Sequence, residues 1–283
     1  MIDPRIRKLA EVLVHYSLGL EPGDHFLIRT GDLAAPLVRE VYRAALRAGA
    51  HPQVLIELEG LSEIFFKEAS EEQLRTITPL QRVAYEEYAN SLVIQAPYNV
   101  KGLSGVDPRR TAIAQEARRE LSAKLMERIG RGGKYCVTLF PTHALAQEAG
   151  MSLADYTEFV FAACLLNEDD PVAAWREVSR RQQRIVDFLG RARELRVVGE
   201  DTDLILSVAG RRWINADGHV NFPDGEVFTG PVEDSVNGHI RFSFPGIFQG
   251  REIEDIRLRF ENGRVVAAEA ARGQDLLEAL LGT

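Results

Sequence analysis

A chain of 283 residues with 45% hydrophobic and 27% charged residues is long enough to bury a substantial core and too apolar to be disordered. Its formal net charge of −8, without any basic block, argues against nucleic acid as a partner, because neutralising phosphates needs a lysine and arginine patch. No run of about 18 apolar residues occurs, so no membrane-spanning helix is expected.

The first residues, MIDPRIRKLAEVLVHYSLGL, set Ile6, Leu9, Ala10, Leu13 and Val14 on one helical face, and their charges are unlike the apolar core of a signal peptide. DHFLIRT (24–30) reads as a strand, DLAAPLVREVYRAALRAGA as a helix stopped at Gly49, and HPQVLIELE as a second strand. This βαβ order favours a parallel sheet flanked by helices. NSLVIQAP and GKYCVTLFPT supply two further short strands, and a helix from Pro108 ends at Gly130. IGRGGK (129–134) lacks phosphate-loop spacing and reads as a connector. Cys136 and Cys164, far apart and each in an apolar run, are expected to be buried free thiols, and the compartment to be the cytoplasm.

Ser152 and Asp155 resemble a capping box opening an apolar helix. The next helix has Pro171 in its first turn and an expected buried stripe of Trp175, Val178, Ile185, Val186 and Leu189. From about residue 193 the texture changes to alternating runs (TDLILSV, RRWINA, HIRFSF, DIRLRF, GRVVAAEA). Turn pairs stand between them: Ala209-Gly210, Asp217-Gly218, Asn237-Gly238 and Asn262-Gly263. Asn-Gly and Asp-Gly between alternating apolar residues are strong hairpin signals, since both turn positions need positive φ. The expected organisation is therefore an α/β N-terminal domain, residues 1–192, mainly a parallel sheet with flanking helices, then a β-rich, incomplete C-terminal domain, residues 193–283.

Several chemical signatures are missing: no G-x-G-x-x-G follows the first strand, and there is no phosphate loop, H-E-x-x-H or G-x-S-x-G. The six histidines are scattered without ligand spacing; His219 and His239 stand out because they flank the stretch NFPDGEVFTGPVEDSVNGHIRF (221–242). That stretch also carries Asp224, Glu226, Glu233 and Asp234. Divalent cations take carboxylate oxygens and imidazole nitrogens, so Glu226 in a turn framed by proline and glycine is an acceptable ligand. Carboxylates in loops rich in Asp and Glu are, however, more often simply solvated.

The stretch GRRWINADGHVNFPDGEVFTGPVEDSVNGHIRFSFP, above all Asn221-x-Pro223-x-x-Glu226-Val227-Phe228-Thr229, resembles the signature region of the M29 metallo-aminopeptidases. TLFPTHALAQEAGMSLADYTEFVFAAC and DLLEALL also resemble family positions, so the likeness covers essentially the whole chain. The resemblance implies a metal-dependent aminopeptidase, a hydrolase that releases N-terminal amino acids from peptide substrates. It implies divalent metal ions (cobalt, zinc or magnesium), two per complete site, and a homodimer. It assigns Glu226 as a metal ligand and maps no other residue. The remaining family ligands would follow Thr283, so the expectation is a C-terminally truncated chain, inactive by itself. Two competing readings are a non-catalytic self-associating or peptide-binding homologue and, on fold analogy alone, a small-molecule-binding α/β protein.

Overall fold

The computed structural model describes residues 3–88, 90–248 and 251–282; the expected domain limits at residues 1 and 283 lie outside them. The chain divides into two compact units, Met1–Ser179 with Ala216–Gly225, and Arg180–Asn215 with Glu226–Thr283.

In the first unit, helix α1 (Pro4–Val12) starts at Asp3, whose carboxylate accepts from the Arg5 N–H, and it buries Ile6, Leu9 and Ala10 as the spacing predicts. The βαβ pattern is present as β1 (His25–Thr30), α2 (Ala35–Arg47) and β2 (His51–Ile56). Three helices not among the expected elements follow: α3 (Leu61–Glu68), α4 (Glu71–Arg75) and α5 (Pro79–Glu86). The last two open on capping boxes, Ser70 with Gln73 and Thr78 with Gln81. Then come β3 (Asn90–Gln95), α6 (Pro108–Gly130), β4 (Tyr135–Leu139), α7 (His143–Glu148), α8 (Leu153–Ala163) and α9 (Pro171–Leu189), of which the residues from Arg180 onward belong to the second unit. Ser152 caps α8 by accepting from the Asp155 N–H at 3.1 Å.

Strands β1 to β4 form a parallel sheet in the order β2-β1-β3-β4. A fifth parallel strand, β8 (Asn221–Phe222), joins beside β4, with Phe222 in register with Thr138. The core centres on Leu9, Phe26, Ile28, Leu92, Phe161 and Trp175. Phe222 belongs to it, 1% exposed, its ring 5.0 Å from that of Trp175. Segment 216–225 therefore lies with the α/β unit although it follows residue 193 in the chain, because its aromatic side chain completes that core. Cys136 and Cys164 are buried free thiols, as expected, and burial pushes both up to about 12.

The second unit is built on an antiparallel sheet. Its strands are β5 (Glu194–Gly199), β6 (Thr202–Ser207), β10 (Asn237–Phe242), β13 (Ile256–Glu261) and β14 (Arg264–Glu269), in the order β14-β13-β10-β6-β5. Two small ribbons accompany it, β7 (Ile214–Ala216) with β9 (Glu226–Phe228) and β11 (Gly246–Phe248) with β12 (Arg251–Ile253). Helix α10 (Gln274–Leu281) buries Leu276 and Leu277 against Ile253, Ile256, Leu258 and Ala268. A parallel α/β part followed by an antiparallel β-rich part is the architecture expected from the sequence.

Two local expectations are corrected. Asn262-Gly263 does turn, with φ of 49° and 77°, and joins β13 to β14. Asn237-Gly238, by contrast, opens strand β10. Gly238 has φ +116°, and a Cβ there would stand 2.1 Å from the Asp203 carbonyl oxygen, so glycine is required by a close strand contact and not by a turn. On α9, Trp175 is buried, but Ile185 is 49% exposed. The buried position two turns after Trp175 is polar: it is Gln182, 7% exposed.

Removing the Phe222 ring leaves a cavity beside Trp175. Phe222→Ala is expected to destabilise the protein by about 3–5 kcal/mol, while Phe244→Ala, at a side chain 85% exposed, changes stability by less than about 0.5 kcal/mol; chemical denaturation of both variants checks the contrast.

Candidate metal centre

Segment 216–225 is clamped within the α/β unit at several points. The Tyr16 hydroxyl contacts the main-chain oxygens of Asp217 (2.8 Å) and Trp175 (3.2 Å). The Asp217 carboxylate accepts from Ser179 Oγ at 2.5 Å and pairs with His219 Nδ1 at 2.7 Å, and the His219 ring lies 4.6 Å from that of Tyr16. Gly218 sits at φ +98°, where a Cβ would come 3.2 Å from the Phe222 ring and 3.4 Å from Trp175 and Tyr16, so this bend takes glycine for both conformation and space. The Gly225 N–H closes the loop on the Ala216 carbonyl at 3.1 Å. Burial pushes the Tyr16 hydroxyl up, and Asp217 adds to it. Burial would also raise Asp217, but the hydrogen bonds from His219 and Ser179 outweigh it and hold this carboxyl below the usual range.

Glu226 is the first residue of β9 and its side chain is exposed. The main chain under it is held tightly. Gln182 Nε2 donates to the Glu226 carbonyl oxygen at 2.9 Å and to Asn215 Oδ1, on β7, also at 2.9 Å. Further along, Thr229 Oγ1 donates to the Arg212 carbonyl at 2.8 Å. A buried amide left without partners would cost about 1–3 kcal/mol; here the two protons of one amide nitrogen each have an acceptor.

The other acidic residues of the stretch are engaged or solvated. Asp224 Oδ1 accepts from the Gly225 N–H, Glu233 pairs with Arg211, and Asp234 is exposed. His239, on β10, stands in register with Asp203 and Arg259. As a donor, the Glu226 carboxylate fits a divalent cation: it is an anionic oxygen ligand, open to solvent, and it makes no hydrogen bond or ion pair among the described residues. It is one ligand of a set, however. No group of three His, Cys, Asp or Glu side chains able to hold a metal comes together among the described residues. His219 Nδ1 pairs with Asp217 within the first unit.

The family model described as thermophilic metalloprotease (M29) matches residues 2–283. The chain belongs to the M29 family. Among curated M29-like relatives, Aminopeptidase 2 of Geobacillus stearothermophilus is 33% identical, with 99% of this chain and 73% of that protein covered. Aminopeptidase AmpS of Bacillus subtilis is 25% identical, over 99% of this chain and 73% of its own. Among solved structures, wild-type AmpT from Thermus thermophilus superposes with a TM-score of 0.83 at 26% identity, covering 99% of this chain and 74% of that one. The expected fold class and the M29 resemblance are both borne out, and so is the enzyme class, a metallo-aminopeptidase hydrolase, on the family and on relatives that carry the name aminopeptidase.

Two features were not singled out from the sequence, the meeting of His219 with Asp217 and Ser179 in the first unit and the buried Gln182 in the second. The Asp217, His219 and Ser179 cluster joins residues 38 positions apart at its widest hydrogen bond, a proximity that no local spacing announces. Gln182 did leave a signal: it stands seven residues after Trp175 and seven before Leu189, a core position on a helix whose period is 3.6.

Because the folded Asp217 carboxyl lies below its ordinary value, its contribution to stability is present above the unfolded carboxylate value and is lost as pH falls through the folded one. Asp217→Asn is therefore expected to lower stability at neutral pH and to reduce the fall in stability between pH 7 and about pH 3 relative to wild type. Denaturation curves of both proteins at a series of pH values check this.

Proposed function

We propose that the chain acts as a metal-dependent aminopeptidase that releases N-terminal amino acids from peptides, with Glu226 as one ligand of its metal. The observation that carries this reading is the M29 match over residues 2–283, together with a motif glutamate that is exposed and unpaired on a tethered ribbon. Cobalt, zinc or magnesium, two ions per complete site, and a homodimer acting in the cytoplasm complete the proposal. No described helix is long and apolar enough to cross a membrane.

When bound, a divalent ion supplies Lewis acidity toward a peptide carbonyl and a water molecule. The chain's own part is positional. Glu226 offers an anionic oxygen, and the ribbon of β7 and β9 fixes where that oxygen starts from. Ligands in addition to Glu226 are needed for a complete centre, since four or more donors are usual.

Replacing the carboxylate tests the assignment. Glu226→Gln, measured with an aminoacyl chromogenic substrate and saturating cobalt, is expected to lose activity by at least about 10–100-fold, the range for disturbing groups around a bound metal. Its thermal unfolding should stay close to that of wild type, because the altered atoms are at the surface. Undiminished turnover by this variant would remove Glu226 from the site.

A further inference from the structure

Gln182 interrupts the apolar face of α9 at a position where Trp175 is buried two turns earlier. A leucine there would satisfy packing alone. A carboxamide is instead buried to 7% exposure, and its nitrogen is committed to two acceptors, Asn215 Oδ1 and the Glu226 carbonyl oxygen. These acceptors lie on β7 and β9, the two strands of one ribbon. Asn215 returns to the same helix, donating from Nδ2 to Gln183 Oε1 at 3.4 Å. All four residues fall in the second unit.

We propose that Gln182 is a positioning residue: it ties both strands of the ribbon to α9 and so fixes the main chain from which the Glu226 carboxylate projects. A glutamate side chain on a ribbon this short, with three residues in each strand, has few main-chain hydrogen bonds to hold it, and the buried amide supplies the missing restraint. Two protons on one sp² nitrogen, directed at acceptors on different strands, set the separation of those strands as well as their distance from the helix. An apolar side chain of equal size would keep the volume and lose both restraints. The catalytic consequence rests on the reading of Glu226 as a metal ligand; the restraint itself does not.

The test compares three variants of the full-length protein. Gln182→Met removes both donors at similar volume, Glu226→Gln removes the proposed ligand, and Leu277→Ala weakens the second unit beneath α10, away from the ribbon. Amide hydrogen exchange at Val227 and Phe228, cobalt affinity by chelator competition, and kcat and KM with an aminoacyl chromogenic substrate are measured for each. Gln182→Met is expected to speed exchange at β9 at least about tenfold and to lower cobalt affinity and kcat by about 10–100-fold, with KM changed much less. Leu277→Ala should lower the melting temperature without either effect. If Gln182→Met keeps wild-type exchange at β9, or changes it only as much as Leu277→Ala does, the proposal is overturned, whatever Glu226→Gln shows. If β9 is loosened while Glu226→Gln retains cobalt affinity and activity, the positioning role stands and the ligand assignment fails. Should Gln182→Met not fold, Asn215→Ala releases the same amide from the β7 side: faster β9 exchange supports the proposal, and wild-type exchange overturns it.

Discussion

The burial of Phe222 against Trp175 is the constraint on which the arrangement of the motif depends. It draws segment 216–225 into the parallel sheet as strand β8, beside β4, between the ribbon strands β7 and β9 in the chain. The chain leaves the second unit after Asn215 and re-enters it at Glu226. The motif glutamate, Glu226, is the first residue after that segment. Gly218 allows the bend, and the Gly225 N–H bond to Ala216 closes it.

Around this anchor the polar groups act as restraints on the main chain. Asp217 gathers a serine and a histidine, and Tyr16 reaches the Asp217 carbonyl, so the loop is fixed in the α/β unit from both its side chain and its backbone. In the second unit Gln182 does the corresponding work on β7 and β9. Buried polar groups are tolerated only when their hydrogen bonds are made, and networks that meet this condition specify one geometry. The Glu226 carboxylate differs from these groups. It is left open while the atoms beneath it are held, an arrangement suited to a ligand and of little value to stability.

Much of this was legible in the sequence. The helix and strand periods of the first part, the capping serine at 152, the buried thiols and the Asn262-Gly263 turn are local facts, and local physics decides them. The motif N-x-P-x-x-E-V-F-T led directly to the M29 family. The short helices α4 and α5 were marked by S-x-x-Q and T-x-x-Q boxes but carry too few apolar residues to show a period. Asn237-Gly238 misled because a glycine at positive φ has the same sequence whether it serves a turn or a close strand contact; the Asp203 carbonyl that demands it is 35 residues away in the chain.

The sequence by itself determined the order of a parallel α/β part and an antiparallel β-rich part and the family to which the chain belongs, because periodicity, turn chemistry and a contiguous motif are all read within a few residues. Tertiary structure alone decided that Asn221 and Phe222 pair with β4, that Gln182 rather than Ile185 takes the buried place on α9, and that Asp217, Ser179 and His219 meet. Each of these depends on which distant side chain fills a given space or which distant acceptor meets a given donor. Contacts of that kind carry no period and leave no spacing for a sequence to display.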